Sequence, residues 1–284
     1  MTRVAYLGPA GTWSHVALLA DPIAAAAEHV PCTTIPEAIE TVDHGDADYA
    51  LVPIQNSIEG GINATLDTLV RLPALQIVGE CTVAVHHCLI AAPGTAIDAI
   101  TAVASHPQAT AQCREFLRTR LPGVPVHTVS STAQAVREAV EQGDGLAGLG
   151  PVQAATLYGG EVLLADVEDE PDNVTRFVSV ARGDGAGRGG PWPASGGPRW
   201  RTSLVFWGSG DGTPGWLVSC LAEFSTRGLN MSRIESRPRR GRLEQYLFFV
   251  DLDARDDDGP VREALVALAA RCEAVRVLGS YPAA

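Results

Sequence analysis

The chain has 284 residues, 46% of them hydrophobic, which suits about two packed domains and excludes both a disordered chain and a disulfide-stapled miniature protein. All 21 basic residues are arginine, which excludes lysine Schiff-base chemistry and a Walker P-loop. Seven arginines stand against 21 acidic residues before residue 180, and 14 against 12 after it. The acidic first half therefore argues against a nucleic acid ligand, since phosphate backbones need many basic contacts.

The compartment can be predicted from hydropathy and cysteine usage. No apolar run reaches the roughly 18 residues of a membrane span, and a strand-like run at 4–7 leaves no room for a signal peptide. Six cysteines lie in apolar segments without CxxC spacing, which is typical of reduced core thiols. We therefore expect a cytoplasmic protein. The cysteines are Cys32, Cys81, Cys88, Cys113, Cys220 and Cys272.

Short apolar runs alternate with helical patterns through the first 180 residues, and this alternation is typical of an α/β domain. Two lobes joined across a cleft, as in bilobal binding proteins, would suit it. A longer β-branched segment at 76–92 is predicted to be a crossing strand or a hairpin. The predicted strands are 4–7, 49–54, 102–104, 126–129, 146–149 and 172–180. The predicted helices are 14–20, 64–72, 108–120, 133–141 and 152–157.

Small polar clusters lie between four of these strands and the helices that follow them. In an open parallel sheet such loops gather at the carboxyl ends of the strands, where helix N-termini offer free backbone N–H groups. A small anion could be held there without lysine. Any one of these loops could equally be a helix cap alone. The clusters are 8–14, 55–57, 105–107 and 130–132.

A Gly/Pro/Ser-rich stretch at 183–199 is predicted to be a linker. The elements predicted after it have the order βαββαβ, which is the ferredoxin-like pattern, and such small sheets commonly pair in dimers. The basic turn at 237–242 could suggest a nucleic acid ligand, but the pattern favours a solvated hairpin tip. The predicted strands are 202–206, 230–237, 243–252 and 274–279, and the helices are 214–227 and 260–272.

Four histidines are candidates for a functional role. His86 and His87 are adjacent and lie between Cys81 and Cys88, but on a strand they would point to opposite faces, so no metal site is expected. His15 and His106 lie near the polar loops and could act as general bases, although a lone loop histidine more often has a packing or hydrogen-bonding role. The sequence contains no HExxH motif and no nucleophile elbow, and no cofactor is predicted.

The predicted strand at 172–180 places Thr175 and Phe177 on one face and Arg176 on the other. Its NVTRF sequence at 173–177 completes a series of ordered motifs. Through that series the chain resembles the prephenate dehydratases, the monofunctional bacterial type with an appended ACT domain, over nearly its whole length. The other motifs are GPAGTWS at 8–14, VPIQNS at 52–57, SHPQ at 105–108, PGWL at 214–217 and ESRP at 235–238.

The resemblance implies a bilobal catalytic domain like the periplasmic binding proteins at 1–182, the linker at 183–199 and a ferredoxin-like ACT regulatory domain at 200–284. It implies decarboxylative dehydration of prephenate to phenylpyruvate, carbon dioxide and water in L-phenylalanine biosynthesis, without a cofactor or metal. It further implies feedback regulation by L-phenylalanine at an interface of a homodimer or homotetramer.

The resemblance also assigns roles to individual residues. Thr175 is expected to donate a hydrogen bond to the leaving hydroxyl, and Arg176 to orient it or to bind a carboxylate. Further catalytic residues are expected to be Asn56, Ser105 and Gln112. The expected substrate-binding residues are Thr12, Ser14, Ser57, Asn173 and Phe177. The expected effector-binding residues are Gly215, Trp216, Leu217, Asn230, Glu235, Ser236, Arg237 and Pro238.

Three positions depart from the family pattern. Gln55 stands where the family usually has Glu, Trp13 stands for Phe, and Trp216 replaces the small residue of the GALV motif, where an indole could partly fill the effector pocket. A prephenate decarboxylase and an arogenate dehydratase are the alternative enzymes, although the presence of Thr175 and Asn173 favours the dehydratase over the decarboxylase. A non-catalytic amino-acid sensor is the alternative of another class.

Overall fold

A computed structural model describes residues 1–183, 199–208, 210, 212–239 and 242–284. Most of the predicted linker, residues 184–198, lies outside the described residues, as do Arg240 and Gly241 of the predicted basic turn. The strands are β1 (Arg3–Leu7), β2 (Glu28–Cys32), β3 (Tyr49–Asn56), β4 (Gly60–Gly61), β5 (Leu75–Ala84), β6 (Cys88–Ala91), β7 (Ala102–Ser105), β8 (Val126–Thr128), β9 (Leu146–Gly150), β10 (Glu161–Leu164), β11 (Val174–Arg182), β12 (Trp200–Trp207), β13 (Met231–Arg239), β14 (Arg242–Leu252) and β15 (Ala274–Pro282). The α-helices are α1 (Trp13–Leu19), α2 (Pro22–Ala25), α3 (Ile35–His44), α4 (Asn63–Arg71), α5 (Pro107–Gln112), α6 (Arg114–Arg120), α7 (Thr132–Gln142), α8 (Val152–Tyr158), α9 (Trp216–Ser225) and α10 (Gly259–Ala269).

The first sheet has the strand order β2-β1-β3-β11-β5, with β4 paired to β3. Strand β1 runs parallel to both β2 and β3, with Val4 opposite His29 and Tyr49. Val4, Ala5, Leu51 and Val52 are fully buried, as the continuous apolar runs of buried parallel strands require. The loops that follow β1 and β3 therefore leave the same edge of this sheet.

The second sheet has the order β10-β6-β9-β7-β8 and is mixed rather than purely parallel. Strand β7 is parallel to β8 and β9, whereas β6 is antiparallel to β9 and β10. Helix α7 packs closely on β9 at Gly148, where a Cβ atom would collide with the backbone of Ala135. Glycine is therefore required at this position by the close approach of the helix.

The third sheet has the order β13-β14-β12-β15, and every neighbouring pair in it is antiparallel. With α9 and α10 these strands follow the predicted order βαββαβ, so that prediction is confirmed. A fully buried core joins the sheet to the two helices, with Phe206 and Val250 from the strands and Phe224 and Leu268 from the helices.

The described chain divides into two compact units. The first consists of Met1–Thr65 and Thr82–Phe177, and the second of Leu66–Cys81 and Val178–Ala284. Within the second unit, Arg276 of β15 donates to the carbonyl oxygens of Leu69, Val70, Leu72 and Leu75 at 2.8–3.2 Å. One arginine thus satisfies two carbonyl groups in the last turn of α4 and two in the residues that follow the helix.

Most of the predicted elements are confirmed, but the single helix predicted at 108–120 is wrong. Helices α5 and α6 are separated at Cys113, whose backbone leaves the helical region at φ −115° and ψ 23°. The carboxylate of Asp169 accepts hydrogen bonds from the N–H groups of Glu115 and Phe116 at 3.0–3.3 Å, and its own N–H donates to Gln112 O at 2.7 Å. A residue distant in sequence therefore caps the second helix and holds the end of the first.

Five further elements were absent from the prediction: β2, β4, α2, α3 and β10. The segment predicted as a crossing strand or a hairpin at 76–92 forms two strands in different sheets, since β5 belongs to the first sheet and β6 to the second. Its connecting residues are tied at both ends, because Val85 N donates to Asn173 O at 2.8 Å and Val167 N donates to His87 O at 2.9 Å. The predicted α/β class is confirmed. None of the described helices is long and apolar enough to cross a membrane.

Candidate active site

A cavity of about 530 Å³ lies within the first unit, and all four predicted polar loops contribute to its wall. Thr12 and Ser14 come from the loop after β1 and the start of α1, and Asn56 comes from the end of β3. His106 stands at the start of α5. Residues 130–132 lie at the start of α7, where the Ser131 side chain accepts a hydrogen bond from Gln134 N. The predicted meeting of these loops is confirmed.

Seven of the ten predicted catalytic and substrate-binding residues line this cavity. Two further residues, Ser57 and Ser105, are absent from its lining. The Ser57 hydroxyl accepts from Val174 N at 2.9 Å, and the fully buried Ser105 hydroxyl donates to His106 O at 3.1 Å. These two serines therefore secure the loops behind the wall. The seven lining residues are Thr12, Ser14, Asn56, Gln112, Asn173, Thr175 and Phe177.

Arg176 is also absent from the cavity lining. Thr175 and Phe177 are buried and face the cavity, whereas Arg176 alternates to the other side of β11, as the strand pattern predicted. The described lining residues include no arginine and no carboxylate. An anion in this cavity would therefore be bound by neutral donors, namely hydroxyls, carboxamides and the backbone N–H groups at helix starts.

A chain of carboxamide hydrogen bonds crosses the cavity wall, and its direction is determined at Asn56. The Asn56 Oδ1 atom accepts from the backbone N–H groups of Ile58 and Glu59, both at 3.0 Å. Because a backbone N–H can only donate, the other end of this carboxamide must be its amide nitrogen. That nitrogen, Nδ2, donates to Asn173 Oδ1 at 2.7 Å and to Thr175 Oγ1 at 3.0 Å.

The directions of the next hydrogen bonds in the chain, beginning at Asn173, are determined in the same way. Since Asn173 Oδ1 accepts, its Nδ2 must donate, and it does so to Gln112 Oε1 at 3.1 Å. Gln112 Oε1 also lies 2.9 Å from His87 Nε2, so the imidazole must carry its proton on Nε2. Each hydrogen bond in the series thus has one permitted direction, and Gln112 Oε1 receives two of them.

This direction determines what Thr175 can offer a ligand. Its oxygen is occupied as an acceptor by Asn56, so its own O–H hydrogen is the group left to donate. Thr175 is 9% exposed and lines the cavity. The site therefore presents a hydroxyl whose oxygen is held by Asn56 and whose hydrogen is available to a ligand, and a donor positioned in this way suits hydrogen-bond stabilisation of developing charge.

His87 belongs to none of the sequence motifs, yet it lines this cavity and is 2% exposed. Burial lowers the pKa of His87 below its ordinary value, with the Gln112 hydrogen bond and the Glu168 carboxylate acting in the opposite direction. Its Nδ1 atom is buried and has no hydrogen-bond partner among the described residues. Trp13 packs edge-on against its ring, with centroids 5.8 Å apart and an angle of 83°.

The two histidines considered as general bases differ in position. His106 lines the cavity, and its Nδ1 atom accepts from Gln108 N at 3.3 Å, while burial lowers its pKa. His15 is absent from the lining; it stacks on Tyr6 and accepts from Gly11 N at 3.1 Å. His15 therefore has the packing role that is the commoner one for such a residue.

His86 and His87 face different surroundings, although the strand argument behind that expectation is wrong. Both lie in the connection between β5 and β6, outside either strand. His86 is exposed and its Nδ1 atom lies 2.7 Å from Glu168 Oε1, with Asp166 Oδ1 at 3.7 Å. These three side chains place one potential ligand atom each within 4.8 Å of one another. The His86–Glu168 hydrogen bond and the nearby Asp166 carboxylate account for the cluster, and we assign no metal to it.

The predicted effector residues all lie in the second unit. Gly215, with φ +83°, caps α9, and Trp216 and Leu217 begin that helix. The Trp216 indole packs near Phe206 and Phe248, and its N–H donates to Arg271 O at 2.9 Å, so the ring is part of this unit's core.

The remaining predicted effector residues lie on β13 or just before it. Glu235, Ser236, Arg237 and Pro238 belong to β13, at the edge of the third sheet. Arg237 forms a two-pronged ion pair with Asp67 of α4, with N···O distances of 2.9–3.0 Å. Asn230 donates to Asp253 at 2.6 Å.

The fold and the cavity define the class of α/β proteins that hold a small molecule among the loops at strand ends. Residues 4–184 match the family model for prephenate dehydratase. A prephenate dehydratase from Mycolicibacterium vanbaalenii is 42% identical over 295 residues, covering 99% of this chain and 91% of the relative. The chain belongs to the prephenate dehydratase family, and it is an enzyme of the hydro-lyase type.

Two solved structures resemble the whole chain. The prephenate dehydratase from Arthrobacter aurescens, solved in complex with L-Phe, has a TM-score of 0.87 and 37% identity, covering 99% of this chain and 90% of that one. GqqA, described as a novel type of quorum quenching acylase, has a TM-score of 0.82 and 30% identity, covering 99% of this chain and 98% of that one. Likeness of fold therefore extends to a protein with a different described activity.

Proposed function

We propose that the cavity binds prephenate and that the Thr175 hydroxyl donates a hydrogen bond to the ring hydroxyl as it leaves. The observation that carries this assignment is the Asn56 Nδ2–Thr175 Oγ1 hydrogen bond of 3.0 Å, whose direction leaves the threonine hydrogen available. Asn56 and Asn173 then orient the donor, and Gln112, Thr12 and Ser14 bind substrate oxygens, with Phe177 packing beside Thr175 on the same strand face.

The reaction requires little from the protein beyond orientation and charge stabilisation. The electron pair of the ring carbon–carboxylate bond moves into the ring as carbon dioxide leaves, and the ring carbon–oxygen bond breaks on the opposite carbon. The departing hydroxyl takes up one proton, which comes ultimately from solvent, and leaves as water as the ring becomes aromatic. A threonine hydroxyl is a poor acid, so we assign it hydrogen-bond stabilisation of the departing oxygen rather than strong general acid catalysis.

The two carboxylates of prephenate have no arginine in the described lining to bind them. We assign their recognition to hydroxyl, amide and backbone donors, above all at the start of the 11-residue helix α7, where Ser131 and Thr132 line the cavity. The positive end of the helix dipole favours an anion at this point. Arg176, which the resemblance made a catalytic residue, is assigned no direct contact with substrate.

We propose residues 1–182 as the bilobal catalytic domain, of the periplasmic-binding-protein type, 183–199 as the linker and 200–284 as an ACT regulatory domain. The end of the family match at residue 184 and the βαββαβ order after it support these boundaries. Two sheets joined by the connection between β5 and β6 support the two lobes. The presence of six free cysteines supports a reducing, cytoplasmic setting.

We propose L-phenylalanine as a feedback effector of this ACT domain. The L-Phe complex of the Arthrobacter relative supports it. Exposed apolar residues on the proposed domain, Val218 of α9 at 69% and Val266 of α10 at 74%, support self-association into a homodimer or homotetramer. The effector would then bind near Gly215 and Leu217 and the 235–238 segment of β13.

The test is to incubate the purified full chain with prephenate and identify the products by mass, with and without L-phenylalanine. Phenylpyruvate formed at a rate that L-phenylalanine lowers is the expected result. Release of carbon dioxide with the hydroxyl retained would indicate a decarboxylase, and turnover of arogenate in place of prephenate would indicate an arogenate dehydratase. Binding of either compound without product would contradict catalysis and favour a sensor.

A further inference from the structure

We propose that His87 is a positioning residue for this reaction: its neutral imidazole donates from Nε2 to Gln112 Oε1 and holds the Gln112 carboxamide with its amide hydrogens available to the substrate. This inference rests on the proposed function of the cavity. It concerns a residue that none of the recognised motifs contains, and it follows from the direction of the hydrogen-bond chain.

The first step is the orientation of Gln112. Its Oε1 atom accepts from Asn173 Nδ2 at 3.1 Å and from His87 Nε2 at 2.9 Å. Its Nε2 atom makes no hydrogen bond with the protein in the described part of the chain, and the residue is 9% exposed at the cavity wall. Two donors from the protein thus hold the oxygen end, so the amide end is what Gln112 offers to a ligand.

The second step is the protonation state of His87. An imidazolium would carry a hydrogen on Nδ1 as well, but Nδ1 is buried without a partner among the described residues. Leaving a buried donor without a partner is costly, and more so when the ring is charged, so the surroundings favour the neutral ring. The charged or titratable neighbours are Glu168, whose carboxylate accepts from the His87 backbone N–H at 2.8 Å, and His86. The neutral Nε2–H form is the one that the chain of bonds requires.

The third step is the rigidity of the imidazole itself. Its edge-on contact with Trp13 and its 2% exposure restrict rotation of the ring. The backbone carbonyl of His87 is also held, since Val167 N donates to it at 2.9 Å. An imidazole restrained in this way adds a second donor to the one from Asn173, and so strengthens the hold on the Gln112 carboxamide against a turn by 180°, which would exchange its donor and acceptor ends.

The experiment compares His87→Phe, which removes the donor, with His87→Gln, which can place an amide N–H near the Nε2 position. We expect His87→Phe to lower kcat/KM for prephenate by about 10- to 100-fold, because a misplaced binding group can cost about 100-fold. His87→Gln is expected to recover most of the loss. His86→Gln is the matched control, since His86 is adjacent but outside the cavity, and it should retain wild-type kcat and KM.

A double-mutant cycle shows whether His87 acts through Gln112. If it does, His87→Phe should add little to the loss already caused by Gln112→Ala, because the residue it positions is gone. If the double variant instead shows the product of the two single fold-losses in kcat/KM, the proposal is overturned. A folded His87→Phe variant with wild-type kcat/KM would also overturn it.

Nitrogen-15 NMR of histidine-labelled wild-type protein gives a readout that needs neither activity nor a variant that folds. We expect the Nε2–H tautomer for His87 at pH 7, and an Nδ1–H tautomer or an imidazolium would refute the proposal. Absence of phenylpyruvate production by the wild-type protein would instead refute the proposed function and leave the tautomer result standing. The two failures are therefore distinguishable.

Discussion

The Thr175→Val variant separates the proposed role of the hydroxyl from its structural role. Valine has nearly the same shape and replaces the donor with a methyl group. In the folded protein Asn56 Nδ2 loses its bond to Thr175 Oγ1 but keeps Asn173 Oδ1 at 2.7 Å and Val174 O at 3.4 Å. The free energy of unfolding should therefore fall by only about 1 kcal/mol, the net value of one hydrogen bond.

The effect of Thr175→Val on catalysis should be much larger. Loss of one preorganised donor to developing charge typically costs about 2.7–4 kcal/mol, or roughly 100- to 1,000-fold in kcat. Initial rates of phenylpyruvate formation measure this loss, and urea denaturation measures the stability. Thr175→Ser, which retains the hydroxyl, should stay within about tenfold of the wild type. A folded Thr175→Val protein with kcat within tenfold of the wild type would refute the reasoning.

Three further predictions concern Asn56, Arg276 and His87. Asn56→Asp replaces the Nδ2 donor with a carboxylate oxygen, which should draw the Thr175 hydrogen away from substrate and lower kcat by about 100-fold or more; unchanged initial rates would contradict the derived bond direction. Arg276→Met, which removes the donors to four carbonyl groups, should lower the free energy of unfolding by about 3 kcal/mol in urea; a loss under about 1 kcal/mol would count against the capping role. Because burial lowers the pKa of His87 in the folded state, the unfolded chain binds more protons, and stability should decrease as pH falls below about 6.5, by at most about 1.4 kcal/mol per pH unit for this residue. Urea denaturation at pH 7.5 and 5.5 should show a shallower decrease for His87→Gln, and identical slopes would assign the effect to other groups.

The α/β class and the βαββαβ order could be predicted because periodicity and turn residues are local signals. The sequence of helix α3 contains such signals too, namely a cap residue, Thr34, before its start and a glycine, Gly45, just after its end. The structure confirms both, with Gly45 at φ +82°. The division between α5 and α6 could not be predicted in this way. It depends on Asp169, which caps α6 from more than 50 residues away.

The residues of the candidate site were predictable to a similar extent. Motifs placed Asn56, Gln112, Asn173 and Thr175 in one set, and the structure brings all four to one cavity. The sequence raises His87 only as a possible metal ligand, because residues 76–92 are predicted to form a regular strand or hairpin. The burial that gives it a place at the cavity arises from a connection between two sheets, which no local pattern specified.

The direction of the carboxamide chain links the loop after β3 to Thr175, the proposed donor. The backbone N–H groups of Ile58 and Glu59 orient Asn56, and Asn56 orients both Thr175 and Asn173. At one end of this chain are the two backbone N–H groups, which can donate but not accept. At the other end is His87, which can bond to Gln112 only in its Nε2–H tautomer. The carboxamides between them therefore cannot reverse without breaking at least one of these bonds. A hydroxyl that is a poor acid can serve in such a site because its oxygen is held in place, with its hydrogen available, before the substrate binds.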